Sequence, residues 1–316
     1  MTTVRDPAPG PTSIAVYVCT HRRNEPLRRM LASLDVAARR VQPEIEIAVV
    51  VVDDNPDGRA RAVVDEADVQ FRRGLHYRHS GAQNISIARN TGLDAAMALG
   101  DWVAMTDDDQ IVVPEWFVAL ADVQRRTGAD AVTGPVHLQY EPSAASWLRE
   151  QPFAEILEAP RHPDGSRVEV CSTGNSMIRS AFLSARPELR FRPDLGVIGG
   201  EDMVFYRAAV AAGLDARFAT EAVCYGVQPP ERESFRYQLQ SCFWLGNTEC
   251  ITNLESASAS RIRLAARALR RLGAALRRPV VRIMGRQAPE VRFALALAAQ
   301  SSGLLVGVAG VRVAHP

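Results

Sequence analysis

The sequence predicts an α/β protein, with a mostly parallel central sheet flanked by helices and a helical extension at its C-terminal end. Three observations predict it. Up to about residue 130, short β-rich apolar runs alternate with segments of helical spacing, the rhythm of a parallel sheet with right-handed crossovers. Several of those runs stop abruptly at polar clusters, as they would if their carboxyl ends shared one rim. From Arg261 onward, arginine and leucine recur at helical intervals.

Ile14 to Cys19 reads as a buried strand, short, apolar and β-branched. Glu25 to Arg39 has helical spacing, with Leu27, Met30, Leu31 and Leu34 on one face, Asn24 as its expected cap and Pro26 in its first turn. Ile45 to Val52 is a second strand, closed by the dense turn signal Asp53-Asp54-Asn55-Pro56-Asp57-Gly58. A short helix and a strand over Leu75 to His79 follow. Asn84 to Leu99 is helical, with Ile85, Ala88, Gly92, Ala95, Ala96 and Leu99 along one side. Trp102 to Thr106 is a strand ending in Asp107-Asp108-Asp109, and Pro114 opens another helix. Beyond it Ala131 to Leu138 reads as a strand, Val170 to Ile178 encloses Ser172-Thr173-Gly174-Asn175, and Gly199-Gly200-Glu201-Asp202 opens a helix to about Ala212. In this topology Thr20, Asp53 and Asp107, far apart in the chain, are expected to line one crevice.

Composition narrows the function. A net charge of +1 excludes a globally basic nucleic-acid binder. The five cysteines are odd in number and form no CxxC pair, which speaks against a zinc site or a disulfide framework and for a reducing compartment. The polar, Pro-rich stretch from Met1 to Pro11 lacks the apolar core of a secretory signal and is expected to be disordered.

The acidic clusters are the chemical feature. Three adjacent carboxylates after a buried strand repel one another unless a cation or solvent relieves them, and a hard divalent cation is the natural partner. Asp107 and Asp109 can reach one site while Asp108 points elsewhere. Asp53 and Asp54 can accept from a base N–H or a ribose hydroxyl, or can serve the turn and cap the next helix. Arg89 suits a phosphate or one of these aspartates. Glu201 and Asp202 at a helix start are favoured by its dipole. Asp202 could also take a proton from an attacking hydroxyl, with glycines before it that let the backbone approach a ligand. Neither a GxGxxG, a P-loop, an HExxH nor a GxSxG motif is present.

Six blocks in order carry a family resemblance: Cys19 to Arg23 after the first strand, VVVVDDNPDG (Val49 to Gly58), NISIARNTGL (Asn84 to Leu93), GDWVAMTDDDQIVVPEWF (Gly100 to Phe117), STGNSMIR (Ser172 to Arg179) and GGEDMVF (Gly199 to Phe205). Together they resemble glycosyltransferase family 2 over roughly residues 13 to 250. The resemblance implies a GT-A, Rossmann-like fold, a nucleotide-diphospho-sugar donor with UDP favoured, a divalent metal (Mn2+ or Mg2+) and inversion at the anomeric carbon. By the same resemblance Thr20 lies by the nucleobase, Asp53 and Asp54 bind base or ribose, Arg89 lies near the nucleotide, and Asp107 to Asp109 match the DxD motif with Asp109 and Asp107 as metal ligands. Asp202 matches the catalytic base, with Glu201 beside it. Missing a QxxRW-like motif and multiple spans, the chain is expected to transfer a single sugar.

The expected organisation is a disordered segment over residues 1–12, a glycosyltransferase domain over 13–250 with a nucleotide-binding half (13–130) and an acceptor half (131–250), and an extension over 251–316. Between Arg261 and Arg286 stand nine arginines and no acid. The segment reads as a basic amphipathic helix, broken near Pro279, that either meets an anionic membrane surface or packs on the enzyme with its arginines in solvent. Phe293 to Val311 is uncharged but carries Gln300, Ser301, Ser302 and three glycines, which suits a docked or interfacial helix better than a span. The expected setting is cytoplasmic, peripheral at the inner face of the plasma membrane, with a saccharide, lipid-linked or small-molecule acceptor. A nucleotide-sugar hydrolase and a non-catalytic binding or scaffold protein are the rival readings.

Overall fold

The computed structural model describes residues 10–149, 162–169, 171–256 and 258–315. The N-terminal stretch expected to be disordered lies, through residue 9, outside the described residues. So does the part of the Gln139–Val168 segment from 150 to 161. At the near edge of the first of these, Thr12 accepts a backbone bond from Glu46 and its hydroxyl donates to Asp101 at 2.6 Å.

The chain forms two compact units. The first draws on Met1–Gln139, Arg161–Gly196 and Phe205–Val227. Its elements are β1 (Ser13–Thr20), α1 (Asn24–Val41), β2 (Glu46–Asp53), α2 (Ala60–Asp65), β3 (Leu75–His79), α3 (Ile85–Met97), β4 (Trp102–Asp107), β5 (Gln110–Val112), α4 (Trp116–Thr127), β6 (Ala131–Thr133), β7 (Val136–Gln139), β8 (Asn175–Arg179) and α5 (Ser180–Ser184). The helix α6 (Glu201–Ala211) continues into this unit from Phe205, and β9 (Ala216–Phe218) and β10 (Cys224–Val227) complete it.

A seven-stranded sheet runs in the order β3-β2-β1-β4-β8-β6-β9, parallel except where β8 pairs antiparallel with β4 and β6. Its strands are apolar on both faces because both faces are covered. Ile14, Val16, Val18, Val49 and Val51 pack with Leu27, Leu31, Trp116 and Phe117 of α1 and α4. The alternate residues Ala15, Tyr17, Val50 and Val52 pack with Leu93, Phe182, Phe191 and Phe205.

Two expectations need correction here. Asn24 does not cap α1: Arg23 holds the cap position without a side-chain bond, and the Asn24 amide donates to the Arg59 carbonyl at 3.2 Å. Asn84, by contrast, does cap α3, accepting from the backbone of Ser86 and Ile87. The strand expected over 131–138 is two strands in two sheets. It is interrupted at Gly134-Pro135, where proline offers no donor for a continuing ladder. Thus β6 stays in the large sheet, while β7 joins a three-stranded sheet in the order β5-β10-β7. The short strands β5, β9 and β10 carry too few residues for a periodic signal and were not foreseen.

The second unit draws on Tyr140–Pro160, Val197–Val204 and Gln228–Pro316. It is built on three helices, α7 (Phe235–Glu255), α8 (Arg261–Met284) and α9 (Val291–Val308). The boundary expected at residue 250 thus falls inside α7. That helix packs closely on α9 at Gly246: a Cβ there would strike the Gln300 carbonyl of α9, and a Cβ on Gly303 would strike the Phe243 carbonyl of α7. The helix α8 runs through Pro279 instead of breaking there. Proline removes one donor from the ladder, but the helix on either side is held by Arg278 and Arg282, both paired with Glu290. Among the described residues, α9 alone is long and apolar enough to cross a membrane, and it packs against α7 and α8.

Candidate active site

The register of the parallel strands brings the acidic clusters together. Thr20 stands opposite Asp53, and Cys19 stands opposite both Val52 and Asp107. The carboxyl ends of β1, β2 and β4 therefore share one rim; Thr20 and Asp107 line the crevice there, while Asp53, expected beside them, does not. A cavity of about 300 Å³ opens there, lined by Cys19, Thr20, His21, Arg23, Asp54, Ile85, Asp107, Asp108 and Asp109.

The acidic triplet sits at the junction of the two sheets. Asp107 ends β4, Gln110 begins β5, and the Asp109 carbonyl accepts from the amide of Val227, the last residue of β10, at 2.9 Å. The three side chains diverge. Asp108 is buried, accepting from the Thr20 hydroxyl at 2.7 Å and from Arg23 at 3.1 Å. Burial pushes its carboxyl up to about 6, against the pull of Arg23 and with Asp109 adding to the rise. Asp107 is the most open of the three and meets Arg89 at 3.6 Å, while Asp109 meets Arg23 at 2.9 Å. Asp107 and Asp109 are thus the more open of the three at the cavity, while Asp108, also in its wall, is buried against Thr20 and Arg23.

The pair after β2 divides in the same way. Asp53 is buried and does not line the cavity. One of its oxygens accepts from the Asn55 amide at 3.0 Å, and the other from the Ala60 amide at 2.7 Å and the Tyr77 hydroxyl at 3.2 Å. It organises the turn and the start of α2. Asp54 lines the cavity, its carboxylate steadied by the Ser80 hydroxyl at 2.7 Å and the Ala82 amide at 3.1 Å. Arg89, largely buried on α3, is held over the Phe191 ring as well as beside Asp107.

Glu201 and Asp202 belong to the second unit, at the start of α6. Asp202 accepts from the Met203 amide at 2.7 Å. The glycines before them are required by the backbone, with φ of +96° at Gly199 and +86° at Gly200. Their close approach is to the protein's own helix. A side chain at Gly199 would strike the Trp244 ring, one at Gly200 would strike Thr248 and Thr252, and the Trp244 indole donates to the Ile198 carbonyl at 2.7 Å.

Arg23 and His21 of the cavity were not foreseen as site residues; the His21 ring lies 3.2 Å from the Asp54 carbonyl. The available signal was a run of cationic residues directly after a strand whose rim was expected to be acidic. Asn175, at the centre of the Ser172 to Arg179 block, is a structural residue: it accepts from Trp116 at 2.8 Å and donates to the Pro135 and Ala222 carbonyls.

Residues 15–185 match the family described as Glycosyl transferase family 2. The chain is 36% identical over 239 residues to the succinoglycan biosynthesis protein ExoM of Rhizobium meliloti, covering 74% of this chain and 73% of that one. It is 30% identical over 168 residues to the glucosyl-dolichyl phosphate glucuronosyltransferase of Haloferax volcanii, covering 49% of this chain and about half, 51%, of that relative. Among solved structures, S. aureus TarS 1–349 in complex with UDP-GlcNAc superposes with a TM-score of 0.53 at 13% identity, over 92% of this chain and 89% of that one. The same fragment in complex with UDP gives 0.51 at 14% identity, with the same coverage; both are likenesses of fold. The mixed sheet and its relatives define a glycosyltransferase of the GT-A fold. The chain belongs to glycosyl transferase family 2.

Proposed function

We propose that the chain moves one sugar from a nucleotide-diphospho-sugar, UDP favoured, to an acceptor hydroxyl with inversion at the anomeric carbon, in the building of a polysaccharide, a glycolipid or a glycosylated metabolite. The observation that carries this reading is the cavity at the carboxyl rim of β1, β2 and β4, where Thr20, Asp54, Asp107 and Asp109 converge. The relatives support it: ExoM is named for succinoglycan biosynthesis, the Haloferax volcanii protein for glucuronosyl transfer, and TarS is solved with UDP-GlcNAc.

In this reading Thr20 and Asp54 meet the nucleobase and ribose, with Asp53 shaping the turn beneath them. Arg89 and Arg23 supply positive charge beside the acids, suited to a diphosphate. The donor set fits a divalent cation. Two carboxylates, Asp109 and Asp107, face the cavity, and oxygen ligands of this kind suit Mn2+ or Mg2+ completed by substrate phosphates and water. Among the described residues no three acid, histidine or cysteine side chains are grouped to hold a metal by themselves. When bound, the cation offsets the charge that develops on the leaving diphosphate. Asp202 takes the proton from the acceptor hydroxyl as it attacks, and Glu201 supports it at the helix start. The five cysteines are all unpaired, which suits the reducing cytoplasm, where we place the reaction.

Calorimetric titration with UDP, GDP and dTDP, each with and without Mn2+, tests the reading. Metal-dependent binding of one nucleotide is expected. A folded protein that binds none of the three overturns it, and release of sugar that does not depend on an acceptor makes the chain a hydrolase instead.

A further inference from the structure

We propose that the outer face of α8 is a docking surface for an anionic lipid bilayer, on which the helix lies flat. The argument starts from spacing. Ile262, Leu269 and Leu276 recur every seven residues, and so do Arg263, Arg270 and Arg277. Seven residues are close to two helical turns, so the two sets form adjacent rows along one side of the helix. Ile283 extends the apolar row by the same periodicity, and Val280, one helical turn after Leu276, lies beside it.

The structure shows which side this is. Leu264, Ala268 and Ala275 are buried on the inner face. Four arginines near that face are answered by acids: Arg267 and Arg271 pair with Glu249 of α7, and Arg278 and Arg282 pair with Glu290. The outer face is left open. Ile262 is 82% exposed, Leu269 60%, Leu276 70% and Met284 80%. Arg263, Arg270 and Arg277 are exposed as well, and they make no ion pair with a described residue.

An apolar row this exposed calls for a cover, and the charge beside it selects which. No acid occurs anywhere in Arg261–Met284. A second copy packed antiparallel on this face would set arginine row against arginine row, and either orientation would concentrate arginines with no acid to answer them, which like-charge repulsion opposes. An anionic bilayer accepts both rows at once: the apolar side chains enter the headgroup boundary and the guanidinium groups meet the phosphates. Arginine suits this position because its stem covers apolar surface while its head stays at the polar level.

The inference does not rest on the transfer reaction, and its test does not use it. The full chain is sedimented with phosphatidylcholine vesicles, with and without phosphatidylglycerol. It is expected to pellet with the anionic vesicles, less so at high salt. Replacing Arg263, Arg270 and Arg277 together by Gln is expected to weaken partitioning roughly 100-fold. The triple replacement I262Q/L269Q/L276Q is expected to abolish it even at low salt, with helical circular dichroism retained in both variants. The single replacement R267Q, on the inner face, is expected to leave partitioning within about threefold of wild type. Wild-type protein that stays in the supernatant with anionic vesicles overturns the proposal. So does partitioning that survives loss of both rows, and so does a dimer in sedimentation velocity that I262Q/L269Q/L276Q dissolves.

Discussion

The rim of the first unit and the outer face of α8 handle charge in opposite ways. At the rim, like charges are forced close together by the register of three strands, and each is answered within the fold: Asp53 by backbone amides, Asp54 by Ser80 and Ala82, Asp108 by Thr20 and Arg23, Asp107 by Arg89. On α8 the charges are spread along a helix, and only those near α7 and α9 are answered. A site that recognises a small ligand holds its charged groups in fixed positions before the ligand arrives, because ordering them afterwards weakens binding. A surface that meets a fluid interface needs no such fixing.

Changes to the proposed catalytic and donor-binding residues should have the larger consequences. Replacing the proposed base, Asp202→Asn, is expected to lower turnover about 1,000-fold while calorimetric nucleotide binding stays near wild type; near-normal transfer would remove Asp202 from its role. Asp109→Ala is expected to weaken metal-dependent nucleotide binding about 100-fold, equivalent to about 2.7 kcal/mol, while leaving the weak binding seen with chelator unchanged. Gly200→Ala tests the support beneath Asp202. A left-handed backbone and a collision with Thr248 and Thr252 are expected to lower stability by about 2 kcal/mol, measured by denaturant unfolding.

The smallest effect is expected for Arg23→Gln, and it sharpens the comparison by its pH dependence. Asp108 titrates near 6, raised from the ordinary 3.8. A carboxyl raised in this way stabilises the fold fully below its unfolded value, and that contribution is lost as pH rises through about 6. Arg23 offsets part of the charge that then stays buried. Its removal is expected to lower stability by about 1 kcal/mol at neutral pH, shrinking toward zero as pH falls to about 4, read from denaturant midpoints across that range. A loss equal at both ends would mean that Arg23 acts by packing alone.

Much of the first unit was legible because its strands are apolar throughout and end in polar clusters. Leu75–His79 was read with its ends in place, and Thr20 and Asp107 were placed on one rim from topology alone. What could not be read was the direction of individual side chains. Asp53 and Asp54 are adjacent and chemically alike, yet one is buried in the turn and the other faces the cavity. Only the tertiary position of Ala60 and Tyr77 decides between them. The break at Gly134-Pro135 is visible in the sequence, but the second sheet that receives β7 depends on Tyr225 and its neighbours, nearly ninety positions away. Pro279 misled for the opposite reason: a local helix breaker stands inside a helix that continues past it.

The crossing of α7 and α9 through Gly246 and Gly303 has a consequence for anyone shortening or grafting the protein. Each backbone is the wall against which the other rests, so neither position can gain even a methyl group unless the partner helix withdraws. A cut placed before α9 would therefore bare a groove floored by Gly246 and walled by Phe243 and Cys250, and the helix that carries Trp244 would lose its backing. Because Trp244, Thr248 and Thr252 of α7 also back Gly199 and Gly200, the three helices are best kept with the enzyme as a single cassette.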